Sequence, residues 1–524
     1  MSNTFDIRGP LPTGVTVLEA SAGTGKTFAI TALVTRYVVE EGHRIEDVLM
    51  VTFAKGAAAE MRERLRARLR DAVQALEAPT APEDEWLTPI YSDDPAMRSV
   101  RLDRAKAAVA NLDRATITTI HGFCHQALRR IGTRAGDSAI ASEVNAGSPL
   151  LVSRFLRDEL IGILSSNMRE FGDFGPSTIE SDVAAVLGKL FANHSVKAAP
   201  HDDSATPNEA RRWAELAESL KDRIITARRA SGSLSFDDMV EILKELLEDK
   251  SAGAAVRDQL RAQFKLVLID EFQDTDMSQW KIFSDVFTPA KGETSRVMIM
   301  VGDPKQAIYR FRGADVSAYI GAVNQPGVAR YDMTINWRSD ADLIAALNQL
   351  MQGCDFGQGR IPYIQVSPRA NAAATTLQVG GKSRAPLEIR WVPREGVSDF
   401  VAPTARAAIS SDLANYVYEL ITQGTLHLGN GDTRRVRAGD IAILMRGNED
   451  SKFIRDDLRA LNIPVVEARV GGVNESEAFD QIEILLNVLV NVSDPRRIRS
   501  LVFTWFTDMV LEDLSSRIAR QGAN

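Results

Sequence analysis

Residues 18–27 read L-E-A-S-A-G-T-G-K-T, a spacing of small residues, one lysine and one hydroxyl that suits phosphate binding. Gly23 and Gly25 let backbone N–H groups approach phosphate oxygens, and a helix starting there adds the positive end of its dipole. Lys26 would reach the outer phosphates and Thr27 would hold Mg²⁺ through its hydroxyl. Ala20 stands where the general pattern has its first glycine, and Ser21, Ala22 and Thr24 complete the cradle. Far along the chain Asp270 and Glu271 follow the apolar run Val267–Ile269. Adjacent carboxylates at a strand end repel unless a cation or a proton relieves them. The aspartate suits Mg²⁺ and the glutamate suits activation of a water. Taken singly, the first motif could be a glycine-rich turn and the second a solvated acidic turn. Together they describe nucleoside-triphosphate chemistry with Mg²⁺.

The elements that must position these groups are legible as alternating strands and helices. Val15 to Leu18 reads as a strand and Phe28 to Val39 as a helix, the strand–loop–helix context a phosphate loop needs. Asp47 to Thr52 is a second strand, ending in Thr52, Phe53, Ala54 and Lys55. The helix after it puts Met61, Leu65 and Leu69 on one face and Arg62, Arg66 and Arg70 on another. Such a row is either a solvated face balanced by Glu60 and Glu63 or a set of phosphate contacts. Residues 78–99 read as a Pro- and Asp-rich loop, and Ala115 to Ile120 as a strand ending in His121, Gly122 and Phe123. A buried strand ends in Gly302, Asp303, Pro304, Lys305 and Gln306. Beyond it Tyr309, Arg310, Phe311 and Arg312 interleave rings with cations, which suits single-stranded nucleic acid or, equally, an aromatic core pair with surface arginines. Residues 334–339, T-I-N-W-R-S, set Arg338 beside Trp337, where an arginine could meet a triphosphate from the far side of a cleft. The fold class is α/β, a P-loop NTPase with a parallel sheet.

Composition bounds this reading. A chain of 524 residues suggests two to four domains. Its 44% hydrophobic and 25% charged content is ordinary for a globular protein. No apolar run approaches the roughly 20 residues that span a bilayer, so no membrane association is expected. The start, M-S-N-T-F-D, does not read as a signal peptide. Cys124 and Cys354 lie too far apart to suggest a disulfide framework, and a reducing cytoplasm is expected. With a net charge of −8, nucleic-acid binding must come from local grooves.

Six motifs in order, E-A-S-A-G-T-G-K-T, V-T-F-A-K-G-A-A-A-E-M, T-I-H-G-F-C, L-I-D-E-F-Q-D-T-D, V-G-D-P-K-Q-A-I-Y-R-F-R-G-A-D and N-W-R-S, resemble the UvrD/Rep superfamily of DNA helicases. I-H-G-F-C and F-R-G-A-D are more similar to the RecB branch than to the AddA branch. The resemblance implies RecA-like motor domains and an ATP and Mg²⁺ site at Lys26, Thr27, Asp270 and Glu271. It implies that Gln306 senses the outer phosphate, that Arg338 stabilises transferred-phosphoryl charge, and that Trp337 stacks on adenine. Thr52, Phe53, Lys55, His121, Tyr309 and Phe311 would line a single-strand path. It further implies 3′→5′ movement, single-stranded and duplex-end DNA as substrate, RecC-like and RecD-like partner subunits, and a role in double-strand break repair and recombination.

The domain organisation expected from this order is a first RecA-like domain over 1–130 and 234–330 with a helical insertion over 131–233. The first part of a second RecA-like domain follows over 331–474, with the start of a further helical domain over 475–524. Residues 365–384 read as a linker or exposed loop, and L-E-I-R-W-V at 387–392 and D-I-A-I-L-M-R at 440–446 as strands. Two later motifs of the superfamily and the nuclease domain of a RecB-like subunit are not found before Asn524. The chain therefore reads as an N-terminal fragment. Two readings stand: an ATP-dependent helicase subunit, and a remnant that binds ATP and single strands without moving along them. A small-molecule kinase is disfavoured by the motif order.

Overall fold

The computed structural model describes residues 3–132, 207–231, 234–290, 295–308, 316–357, 359–370, 375–391, 402–467 and 477–490, with a few isolated positions besides. The chain divides into two compact units, Met1–Ala374 and Thr375–Asn524.

The first unit is built on seven strands: β1 (Asn3–Thr4), β2 (Gly14–Ala20), β3 (Val48–Thr52), β4 (Thr116–Thr119), β5 (Leu266–Ile269), β6 (Val297–Gly302) and β7 (Val328–Met333). Their order is β1-β7-β2-β6-β5-β3-β4, and every neighbouring pair is parallel. The central strands V-L-M-V-T, L-V-L-I and V-M-I-M-V-G are buried throughout. Such continuous apolar runs are what a parallel sheet covered by helices on both faces requires. Side chains alternate between the faces. Val15, Val17, Leu49 and Val51 join one core with Phe123, Phe283 and Phe287, while Leu18, Met50, Leu65 and Leu69 join the other.

Four helices follow the early strands: α1 (Lys26–Arg36), α2 (Lys55–Glu77), α3 (Pro95–Ala110) and α4 (Ile120–Ile131). The stretch expected as loop to residue 99 ends earlier, because Asp94 caps α3 and Pro95 sits in its first turn, where its missing N–H costs nothing. Likewise β4 stops at Thr119, whose side chain accepts from Gly122 N, so His121 lies in the first turn of α4 and not on a strand end. Of the insertion expected over 131–233, α5 (Pro207–Ser231) is described and the larger part lies outside the described residues. The return to the sheet runs through α6 (Phe236–Glu248) and α7 (Gly253–Gln263), followed after β5 by α8 (Met277–Phe287) and after β6 by α9 (Val316–Val323).

Register brings the carboxyl ends together. Glu19 pairs with Gly302, Ile269 with Met300 and Val51, and Thr52 with Thr119. The segments after β2, β3, β4, β5 and β6 therefore share one edge, where parallel α/β sheets bind ligands. The boundary expected between residues 330 and 331 falls inside β7, which pairs with β2. Past it come β8 (Ile335–Asn336), α10 (Ala341–Leu350), the β9 (Asp355–Phe356) and β10 (Ile361–Pro362) hairpin, and β11 (Ser367–Pro368), paired with β8.

In the second unit β12 (Thr376–Val379), β13 (Lys382–Ser383), β14 (Gly424–His427) and β15 (Thr433–Arg435) form an antiparallel sheet. The linker expected over 365–384 thus carries strands: β12 and β13 form a local hairpin across Gly380 and Gly381, while β11 and β12 also pair with strands distant in sequence, β8 and β14. The segments 387–392 and 440–446 form no strands among the described residues. Trp391 and Leu444 are 87% and 95% exposed there, so apolar alternation alone did not produce a ladder. Helix α11 (Ala402–Gln423) packs on α12 (Asn448–Ala460) through Ala414, Val417 and Leu458, and α13 (Glu477–Val490) follows.

Candidate functional site

The phosphate loop takes its shape from two left-handed glycines, Gly23 at φ 77° and Gly25 at φ 86°. Gly25 opens α1 with no side-chain cap and no acidic residue in the first turn. The first N–H groups of an uncapped helix have no internal acceptor and carry partial positive charge, which is the requirement of a phosphate cradle. Ala20 is fully buried as the last residue of β2, and Thr24 folds inward, donating from Oγ1 to Ser21 O at 2.8 Å.

Lys26 Nζ lies 3.0 Å from Glu271 Oε2 and 3.2 Å from Gln306 Oε1. Three residues from three separate motifs thus meet at one ammonium group. Gln306 donates from Nε2 to Asp303 Oδ2 at 2.7 Å. Gln273 Nε2 donates to Glu271 Oε2 at 2.9 Å, and Gln273 Oε1 accepts from Asp303 N at 2.9 Å. Gln273 and Asp303 were not assigned roles from sequence, since an amide or carboxylate inside a motif does not announce its partner.

Glu271 is one of two non-glycine residues with positive φ among the described ones, at φ 50°. That conformation costs roughly 1 kcal/mol and persists where the surroundings impose it. Burial first, then the Glu271 charge, pushes Asp270 up to about 7, although part of its surface still meets solvent. The same two causes bring Asp274 up to about 6. A divalent cation is the natural counter-charge for such a pair. Thr27, half-buried in the first turn of α1, supplies a hydroxyl on the phosphate side. Among the described residues no group of three or more His, Cys, Asp or Glu is placed to hold a metal.

The N-W-R-S segment closes one side. Asn336 Nδ2 donates to Ala22 O at 3.0 Å, and Trp337 N donates to Gly23 O at 2.8 Å. Asn336 Oδ1 accepts from both Arg338 N and Ser339 N at 2.9 Å. Trp337 remains 60% exposed, and Phe28 stands nearby on α1; a Cβ on Gly25 would lie 3.7 Å from the indole and 3.9 Å from Phe28. Trp86 packs edge-on to Phe28 at 5.9 Å and Arg68 covers it at 5.0 Å. Nothing in the local sequence around Asn336 or Phe28 marks either as part of the site, since their partners are distant in the chain. The Arg338 side chain is exposed.

The residues expected along a nucleic-acid path are placed less uniformly. Thr52 is buried and donates to Ala54 O at 3.1 Å, closing the turn into α2. Phe53 is half-buried and Lys55 exposed. His121 faces Phe236 at 5.5 Å, with Nε2 3.5 Å from Asp237. Tyr309 and Phe311 lie outside the described residues. In the arginine row Arg62 donates to the carbonyls of Leu112 and Ile117 and Arg66 pairs with Glu63 and Asp113, which favours a structural face at those two positions.

Residues 7–326 match the family described as UvrD/REP helicase N-terminal domain. The chain is 32% identical to the RecBCD enzyme subunit RecB of Mycobacterium tuberculosis (strain ATCC 25618 / H37Rv), over 98% of the chain and 45% of that protein. Identity to the same-named subunit of Mycolicibacterium smegmatis is 31%, over 98% of the chain and 45% of that protein. Against that of Escherichia coli K12 it is 26%, over 97% and 52%. The chain spans about half the length of the curated relatives it matches. Among the described residues no helix is long and apolar enough to cross a membrane.

Proposed function

Because the chain belongs to the UvrD/REP helicase family and is RecB-like, we propose that it carries the ATP site of a 3′→5′ DNA helicase or translocase. In this reading it acts on single strands and duplex ends beside RecC-like and RecD-like subunits in a RecBCD-like exodeoxyribonuclease V, and serves double-strand break repair and recombination. The observation that carries the ATP site is the convergence of Glu271 and Gln306 on Lys26 Nζ, beside a loop that Trp337 closes from the backbone.

In this reading Lys26 holds the outer phosphates, and Ala20 to Thr27 give the loop that cradles them. Asp270 and Thr27 hold Mg²⁺, which when bound neutralises charge on the phosphate oxygens. Glu271 takes a proton from the attacking water. Gln306 reports the outer phosphate to the segment that follows it, which leads to Tyr309 and Phe311. Arg338 stabilises charge on the transferred group, and Trp337 offers its exposed face to adenine. Thr52, Phe53, Lys55, His121, Tyr309 and Phe311 form the strand path, with bases stacking on rings and cations following the backbone. Residues 1–130 and 234 to the end of β7 at Met333 would make up the first motor domain, with the start of the second beyond them.

Single-strand-stimulated ATP hydrolysis by the chain, beside Lys26→Ala, tests the proposal. Stimulated turnover that disappears in Lys26→Ala is expected; turnover unaffected by the substitution would sink it. A second reading, binding of ATP and single strands without autonomous movement, draws on the antiparallel sheet of the second unit, where the described residues hold no second parallel motor sheet. Strand separation by the chain alone would exclude it.

A further inference from the structure

Glu19 is a carboxylate at the carboxyl end of a buried strand, beside the phosphate loop, and it is 4% exposed. Its alternation along β2 places it with Val15 and Val17, at the rim of the phenylalanine core. Burying a charge there is costly unless it is paired. Both oxygens have cationic neighbours. Oε2 pairs with Arg330 of β7, and Oε1 lies 3.9 Å from Lys305 Nζ. Burial still raises its pKa above the ordinary range, against the opposing pull of those two cations.

Lys305 links this carboxylate to the reactive side. Its Nζ is 2.8 Å from Asp303 Oδ1, while Asp303 Oδ2 accepts from Gln306 Nε2 at 2.7 Å. Gln306 then meets Lys26. The turn Pro304–Gln306 is therefore tethered twice to one strand–loop–helix unit, in front through Lys26 and behind through Glu19. Arg330 donates an aligned hydrogen bond to Glu19, whereas the Glu19–Lys305 link is one of charge. Lys305 Nζ, Arg330 Nε and Tyr319 Oη, all buried around it, have no aligned hydrogen-bond partner. Directional bonds from Asp303 N to Gln273 and from Lys305 N and Gln306 to Asp303 hold the turn itself, while its link to Glu19 depends on the charge of the carboxylate.

We infer that Glu19 is a positioning residue for the outer-phosphate site, acting through Lys305 and Asp303 to fix the Gln306 side chain. The inference rests on the ATP reading given above and assigns Glu19 a part in telling a triphosphate from a diphosphate. Within the relay Glu19–Lys305–Asp303–Gln306 it is Gln306 that reaches the lysine expected at the outer phosphates, so loosening it weakens triphosphate binding and leaves the inner phosphates unaffected.

Calorimetric affinities of the full chain for Mg²⁺ with adenosine 5′-(β,γ-imido)triphosphate and with ADP test this without requiring turnover. Glu19→Gln is expected to weaken imidotriphosphate binding about fivefold, the worth of roughly one hydrogen bond, with ADP binding unchanged. Lys305→Met, which cuts the same link from its other end and leaves Glu19 with Arg330, is expected to do likewise if Glu19→Gln fails to fold. In a Gln306→Ala background neither change is expected to weaken binding further, since residues acting through one group are not additive. Equal loss of ADP affinity, or additive losses with Gln306→Ala, overturns the assignment. Normal discrimination without ATP hydrolysis would count against the proposed activity and not against Glu19. A wild-type chain that binds neither nucleotide overturns both.

Discussion

Asn336 donates from Nδ2 to the carbonyl of Ala22 at 3.0 Å, joining the segment that carries Trp337 and Arg338 to the phosphate loop across 314 residues of chain. The same side chain accepts from Arg338 N and Ser339 N, so one amide sets both the loop and the turn facing it. Asn336→Ala removes three hydrogen bonds at a buried position. A stability loss of about 2 kcal/mol and a tenfold or greater weakening of ATP binding are expected. Denaturant unfolding and nucleotide titration check the two effects, and unchanged affinity would show that the loop holds its shape without this anchor.

Gly23→Ala should be worse for binding than its size suggests. Its φ of 77° disfavours any Cβ, and that atom would sit 2.8 Å from both Nδ2 and Oδ1 of Asn336, which cannot turn away without giving up its partners. A cost of about 1–3 kcal/mol in stability and loss of measurable ATP binding are expected. Retention of wild-type affinity would mean that this loop adopts another shape when occupied.

Glu271→Gln keeps the size of the group that contacts Lys26 and Gln273 but removes its basicity. Turnover is expected to fall about a hundredfold or more, with ATP affinity changed little, as for loss of a general base. Steady-state hydrolysis set beside equilibrium binding distinguishes the two. Parallel losses in both would assign Glu271 to binding alone.

Asp276 caps α8, accepting from Gln279 N at 2.8 Å, and burial brings it up to about 6 from the ordinary carboxylate value. A folded-state pKa above the unfolded one gives stability that is full below the unfolded pKa and is lost as pH rises through the folded one. Asparagine caps a helix as well and does not titrate. The melting temperature of Asp276→Asn relative to wild type should therefore rise between pH 4.5 and 7.5, by the equivalent of about 2 kcal/mol. A gap that stays flat across that window contradicts the burial argument.

Phe283 stacks on Phe123 at 5.3 Å and packs against Phe287 at 6.1 Å, fully buried beneath the sheet. Phe283→Ala is expected to cost about 3–5 kcal/mol, from lost burial plus the cavity left behind. Chemical denaturation with an unchanged m-value would confirm that the loss is one of stability, and a cost under 1 kcal/mol would show that the core collapses to fill the space.

The phosphate loop, the acidic pair and the parallel α/β class were legible in the sequence because each is fixed by local chemistry. Glycine spacing dictates where φ can be positive, and an unbroken apolar run dictates a strand covered on both faces. The family followed from the order of its motifs. Tertiary structure alone decided who meets whom. That Gln306 and Glu271 share Lys26, that Asn336 anchors Ala22, and that Glu19 stands behind Lys305 all depend on strand order β7-β2-β6-β5, which no local pattern encodes. The same limit explains the strand-like segments at 387–392 and 440–446, since a strand exists only with a neighbour to pair with. It also explains the expected boundary that fell inside β7, whose partner β2 lies near the other end of the unit. Local sequence sets conformational preference, but the contacts that make a site are long-range and are chosen only when the whole sheet assembles.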